Sequence, residues 1–113
     1  MHELSLVTSM MELLGQKVTA RAELIKVNVT LGPLAGLSAD SLSFCFDLIA
    51  PQFGFGKAVL EINRIEAKME CLSCDREYYT REVYAACPYC ASFERIPLSG
   101  KEFIIDSLEL KEE

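Results

Sequence analysis

The 113-residue chain has no apolar run approaching the ~20 residues that a bilayer-crossing helix needs. Its opening stretch, MHELSLVTSMMELL, carries acidic residues and no basic segment ahead of its apolar ones, which makes a poor secretory signal. Both features lead to the expectation of a cytoplasmic protein without a membrane role. Positive charge is also scarce, with 11 Lys and Arg against 17 Asp and Glu and a formal net charge of −6. Nucleic-acid binders draw much of their affinity from neutralising phosphates, so this balance argues against nucleic acid and suits protein partners or cations. Histidine is nearly missing: the only one is His2. No nucleophile–base arrangement can be built around it, so an enzyme is not expected. GFGK at 54–57 lacks the G-x-x-x-x-G-K-[ST] spacing of a phosphate loop and reads as a turn. Low-complexity tracts are absent, and the sole internal repeat is a doubled Cys-x-x-Cys.

What the chain does have begins with apolar residues, 50% of the total, enough for one folded domain with a small inserted module. In MHELSLVTSMMELLGQKV, Leu4, Val7, Met11, Leu14 and Val18 recur at helical spacing, and Leu6, Met10 and Leu13 widen the stripe. Gly15 weakens the last turn. ELIKVNVTL alternates Ile25, Val27, Val29 and Leu31 with polar residues, the period of a half-buried strand. GPLAG then breaks the chain. Ser38 is placed to cap a second helix carrying Leu42, Cys45, Phe46 and Ile49 on one face, which Pro51 should end. Cys45 is expected to pack there as a small hydrophobe. AVLEINRIE and EFIIDSLEL supply two more strand candidates. The expected fold is therefore α+β: two helices packed on a small three-stranded sheet, with an inserted zinc-ribbon-like four-cysteine module. The discontinuous main domain is expected over 1–68 and 98–113, and the insert over 69–97.

Of five cysteines, Cys71, Cys74, Cys87 and Cys90 form the pattern C-x2-C-x12-C-x2-C. Each pair can turn two sulfurs toward one ion, and two pairs complete the closed tetrahedron of structural zinc. The spacer is shorter than the roughly 15–20 residues common for this pattern, yet it accommodates a short hairpin. The module's four tyrosines and Phe93 are expected to be its apolar cover. Iron in a similar sulfur cage is a rival. A redox dithiol would need a thioredoxin-like setting, which the sequence does not offer. Protein fills all four positions, so zinc catalysis is not expected.

His2 stands beside Met1, whose α-amino group has a pKa near ~8 and is partly neutral at physiological pH. Amine, imidazole and the amide between them can form fused chelate rings, and the amide of Glu3 could complete a plane of nitrogens. Such a plane suits Ni(II) or Cu(II) better than zinc or magnesium.

MHELS, SLSFCFDLI, LEINRIEAKMECLSC, CPYC and the Gly100-Lys101-Glu102 segment together make the chain resemble the HypA/HybF family of hydrogenase nickel-incorporation proteins. That resemblance implies an α/β nickel-binding domain with an inserted zinc domain, and a cytoplasmic metallochaperone delivering nickel to [NiFe]-hydrogenase and in some bacteria to urease. It implies His2 as nickel ligand, with Met1 and Glu3 supplying amino or backbone donors, and Cys71, Cys74, Cys87 and Cys90 as zinc ligands. Asp40 lies near a position where some members place an acidic group close to nickel. The implied partners are the HypB GTPase, the [NiFe]-hydrogenase large-subunit precursor and urease accessory proteins, with a homodimer as an allowed assembly. A zinc-ribbon module binding protein or nucleic acid is the competing reading. It accounts for the four cysteines and leaves Met-His-Glu to chance.

Overall fold

The leading amphipathic pattern becomes a helix, α1, over Glu3–Lys17. The computed structural model describes residues 3–112, so Met1, His2 and Glu113 lie outside the described residues. Val7, Met10, Met11 and Leu14 are the buried side chains of α1, spaced three and four apart on one face. Leu4, in the first turn, and Leu13, off the stripe, are exposed. Gly15 does not end the helix: Val18 still donates its backbone N–H to Leu14 at 2.8 Å.

Strand β1 follows over Ala22–Leu31. Val27, Val29 and Leu31 are buried in alternation as expected. Upstream the buried position is Leu24 rather than Ile25, so the period shifts between them. Helix α2 spans Ala39–Ile49, with Leu42 and Phe46 buried. Ser38 caps it, its hydroxyl accepting from the Ser41 N–H at 3.3 Å. Pro51 converts the end into a short 3-10 helix, Ala50–Phe53, which Gly54 closes in the left-handed region at φ 83. GFGK is thus part of a turn. The wholly buried Phe46 ring removes enough apolar surface from water to contribute ~1.5–3 kcal/mol. Cys45 is only half-buried.

Strands β2 (Val59–Arg64) and β6 (Phe103–Glu112) flank β1 in a three-stranded sheet of order β2-β1-β6. A second three-stranded sheet has the order β4-β3-β5, built from β3 (Ala67–Cys71), β4 (Glu77–Thr80) and β5 (Arg95–Pro97). Both neighbours of β3 run antiparallel to it. Strand alternation buries Ala67, Met69 and Cys71 on one face, and Met69 faces Tyr78 across the ladder. On the opposite face Glu70 sits directly across from Glu77, an unfavourable like-charge pair. Lys68 offsets it by reaching Glu77 at 3.0 Å.

The chain divides into two compact units. The first comprises Met1–Val29, Leu37–Asn63 and Ile105–Glu113, and the second Thr30–Gly36 and Arg64–Ile104. The cysteine-bearing unit thus takes in residues on both sides of 69–97. One reason is a close backbone approach within it. Gly32 donates to Glu102 at 2.8 Å and Leu34 donates to Gly100 at 2.7 Å. A Cβ on Gly32 would lie 2.2 Å from the Gly100 oxygen, so only glycine fits there.

Candidate metal centre

Cys71 ends β3, where the chain turns sharply through Leu72 and Ser73 to Cys74. Asp75 donates back to the Cys71 carbonyl at 3.0 Å, and Cys71 donates to Arg76 at 2.9 Å. Cys87–Cys90 repeats the same pattern: Ala91 donates to the Cys87 carbonyl at 2.8 Å and Cys87 to Ser92 at 2.8 Å. The residue after each second cysteine is left-handed, Asp75 at φ 61 and Ala91 at φ 63. The two loops are therefore near-copies, each folding two sulfurs to one side. The Ser73 and Ser92 hydroxyls join them at 2.8 Å, and Leu72 donates to Glu94 at 2.9 Å.

All four ligand-capable sulfurs lie within 4.8 Å of one another. The shortest approaches run between the loops, Cys71 to Cys90 at 3.5 Å and Cys74 to Cys87 at 3.7 Å. Tetrahedral zinc with Zn–S bonds of ~2.3 Å sets sulfur–sulfur edges of about 3.8 Å, whereas a disulfide needs ~2.05 Å. The residues thus fit a four-coordinate ion, and all five cysteines are free thiols.

Electrostatics point the same way. The backbone N–H of Cys74 pulls the Cys71 thiol down to about 7, with burial opposing it and the Ser73 N–H assisting. Cys90 is pushed up to about 12: the Ser92 N–H pulls it downward, but burial and the other three sulfurs prevail. Cys74 is raised as well, since burial and the Cys71 and Cys87 sulfurs outweigh the Arg76 N–H. One thiolate forms readily, and its neighbours resist because negative charge accumulates. A dication at the centre removes that resistance.

Several features of the centre depart from expectation. The spacer between the cysteine pairs is not a hairpin of its own. It supplies the single strand β4, whose partner is β3. Nor do the aromatics cover the site together. Tyr78 alone is buried, while Tyr79, Tyr84, Tyr89 and Phe93 are exposed. Arg76 stacks over the Tyr89 ring at 5.0 Å. The spacer is clasped by Arg95, which lies across from Cys71 and donates to the carbonyls of Val83 and, at 3.0 Å, of Phe93. Sequence reasoning missed Arg95, the serine pair and the two left-handed positions. The last could have been read from their shared place after each Cys-x-x-Cys.

Of the residues assigned to nickel, Met1 and His2 lie outside the described residues. Glu3 opens α1, and its carboxylate accepts the backbone N–H of Ser38 at 3.1 Å. In a capping box that N–H is taken by an acidic residue three positions into the same helix. Here another helix provides it, bringing the first turn of α1 to the start of α2, which carries Asp40.

An α+β protein whose second unit closes on four convergent thiols belongs to the metal-handling class, and its relatives are of that class. A family described as "Hydrogenase/urease nickel incorporation, metallochaperone, hypA" matches residues 1–110. The chain is 34% identical over 117 residues to hydrogenase maturation factor HypA of Chlorobium luteolum, covering 100% of this chain and 98% of that protein. Its counterpart in Azotobacter chroococcum is also 34% identical, over 113 residues, covering 98% of this chain and 100% of that one. The solution structure of the Ni metallochaperone HypA from Helicobacter pylori superposes with a TM-score of 0.61 at 25% identity, covering 100% of both chains. The chain belongs to the HypA family of nickel-incorporation metallochaperones, and it is a metal carrier rather than an enzyme. Among the described residues, no helix is long and apolar enough to cross a membrane.

Proposed function

We propose that the chain carries Ni(II) on nitrogen donors at its start and delivers it during maturation of [NiFe]-hydrogenase, while Cys71, Cys74, Cys87 and Cys90 hold structural Zn(II). The Met1 amine, the His2 imidazole and backbone nitrogen through Glu3 form the nickel site. The observation that carries this reading is the family match over 1–110, which takes in Met-His-Glu together with a four-sulfur cluster of tetrahedral dimensions. The division of labour follows from chemistry. Four protein thiolates leave no coordination position for exchange, which suits scaffold. Nitrogen donors near a chain end leave room for a receiving protein to attack. In this reading the unit of 1–29, 37–63 and 105–113 serves nickel, and the unit of 30–36 and 64–104 serves zinc.

Delivery involves the HypB GTPase and the hydrogenase large-subunit precursor in the cytoplasm, with urease accessory proteins as recipients where urease is made and a homodimer as an allowed assembly. Copper outcompetes nickel at such donors, so fidelity rests on supply and docking. Calorimetric titration of untagged protein tests the assignment. Nickel affinity should fall sharply in His2→Ala and in a chain with an N-terminal fusion, and should persist in Cys90→Ser. Unchanged nickel affinity in His2→Ala refutes it.

A further inference from the structure

The two stretches that carry the four thiols, CLSCDR at 71–76 and CPYCAS at 87–92, match residue for residue. Their closing bonds, Cys71 to Arg76 and Cys87 to Ser92, make Ser73 the counterpart of Tyr89 and Arg76 the counterpart of Ser92. Each third position reaches across to the closing residue of the other loop. The Ser73 and Ser92 hydroxyls meet at 2.8 Å, and Arg76 lies over the Tyr89 ring at 5.0 Å. The repeat thus builds two equivalent clasps between the loops, one from hydroxyls and one from a cation on an aromatic face.

The clasps are not equally supported. Beside the hydroxyl pair, Leu72 donates to the Glu94 carbonyl at 2.9 Å, and the Glu94 N–H donates to the Ser92 hydroxyl at 3.1 Å. The counterpart of Leu72 is Pro88, which has no N–H, so the stacked side cannot make the equivalent backbone bond. The Tyr89 ring is 57% exposed, where a cation stack is at its weakest. Next to Tyr89 comes Cys90, the exposed thiol of the four, whereas Cys71 and Cys87 are buried.

We infer that Arg76 and Tyr89 are the weaker clasp, so that the metal-loaded site opens on their side and Cys90 is the first of the four sulfurs to let go. Both are positioning residues, and the inference rests on reading the four cysteines as metal ligands. A shell closed by four thiolates gives a chelator no vacant position, so exchange begins with the departure of one sulfur. The Tyr89 N–H also donates to the Cys87 sulfur at 3.4 Å, so lifting Tyr89 withdraws support from a second ligand.

The test uses the whole chain loaded with zinc. With a chromogenic chelator in excess, release should quicken about 2–5-fold in Arg76→Gln and in Tyr89→Leu. Tyr89→Phe, which keeps an aromatic face under the guanidinium, should release as wild type does, and so should Ser73→Ala, because the Leu72 bond still holds that side. Under limiting N-ethylmaleimide, mass spectrometry should find Cys90 alkylated first among the four, and faster in Arg76→Gln but not in Ser73→Ala. Unchanged release in both Arg76→Gln and Tyr89→Leu overturns the inference. So does equal or greater acceleration in Ser73→Ala, or first alkylation at Cys71, Cys74 or Cys87. A chain that takes up no zinc overturns the four-cysteine reading itself, and this inference with it.

Discussion

Replacing Gly100 by alanine should damage the second unit far more than the loss of two hydrogen atoms suggests. Gly100 has φ +116, where an L side chain is strained, and alanine there costs about 1–2 kcal/mol for conformation alone. The new Cβ would lie 2.4 Å from the Cβ of Ala67 and 3.1 Å from its Cα. Ala67 is fully buried in β3 and has no flexible end to move aside. Backbone must shift instead, and overpacking of this kind costs a further ~1–3 kcal/mol. That shift also strains the Leu34 N–H bond to the Gly100 carbonyl, 2.7 Å long. The sum is about 2–5 kcal/mol. The chain has no tryptophan, and its four tyrosines, Tyr78, Tyr79, Tyr84 and Tyr89, all fall in the second unit. Urea unfolding followed by tyrosine fluorescence therefore reports this unit alone. Gly15→Ala is the chemical control. Its Cβ meets nothing within 4 Å in the helix α1, so it should stabilise the helical signal by ~0.5–1 kcal/mol. A Gly100→Ala protein within ~0.5 kcal/mol of the parent would show that the close approach at Ala67 does not constrain the unit.

Other substitutions and conditions separate the parts of the molecule. Phe46→Ala should cost ~3–5 kcal/mol in the far-ultraviolet helix signal, whereas Phe44→Ala, at 70% exposed, should stay within ~0.5 kcal/mol. Removing the metal with a chelator should lower the tyrosine-reported midpoint strongly and leave the helix midpoint nearly in place, because the ion's binding energy is folding energy for the unit it closes. Acidity should release the ion. The lowered pKa of Cys71 stabilises the folded unit above the ordinary thiol value of 9.0, and that contribution is lost as pH falls through about 7. Cys90, held up to about 12, must give up its proton on loading at any physiological pH. Zinc affinity plotted against pH should therefore steepen below about 7, where protonation of Cys71 adds to the competition. A slope already at its limit above that point refutes the Cys71 assignment.

Long periodic segments were legible. Val7, Met11 and Leu14 announce α1, and Val27, Val29 and Leu31 announce β1, because a buried stripe imposes its period on the sequence. The cysteine spacing was equally readable, since the ion's geometry restricts which spacings can close. Strands β3, β4 and β5 were not, as runs of three to five residues are too short for alternation to stand out. The burial of Tyr78 among exposed tyrosines depends on its register against Met69, which is a pairing fact rather than a composition fact. Gly32 and Gly100 read as ordinary loop glycines until the two backbones are seen to touch.

The bond from the Glu3 carboxylate to the Ser38 N–H spans 35 positions of sequence. It fastens the root of the leading tripeptide to the mouth of the second helix. If nickel binds the tripeptide as proposed, stiffening it should also still the Ser38 amide, and hydrogen exchange there should slow on nickel addition. On that same proposal, linkage gives the converse sign: breaking the fastening, as in Glu3→Ala, should weaken the grip on nickel. A carrier wired in this way could be made to let go from a distance, by a receiving protein that pries at the helix mouth without touching the ion.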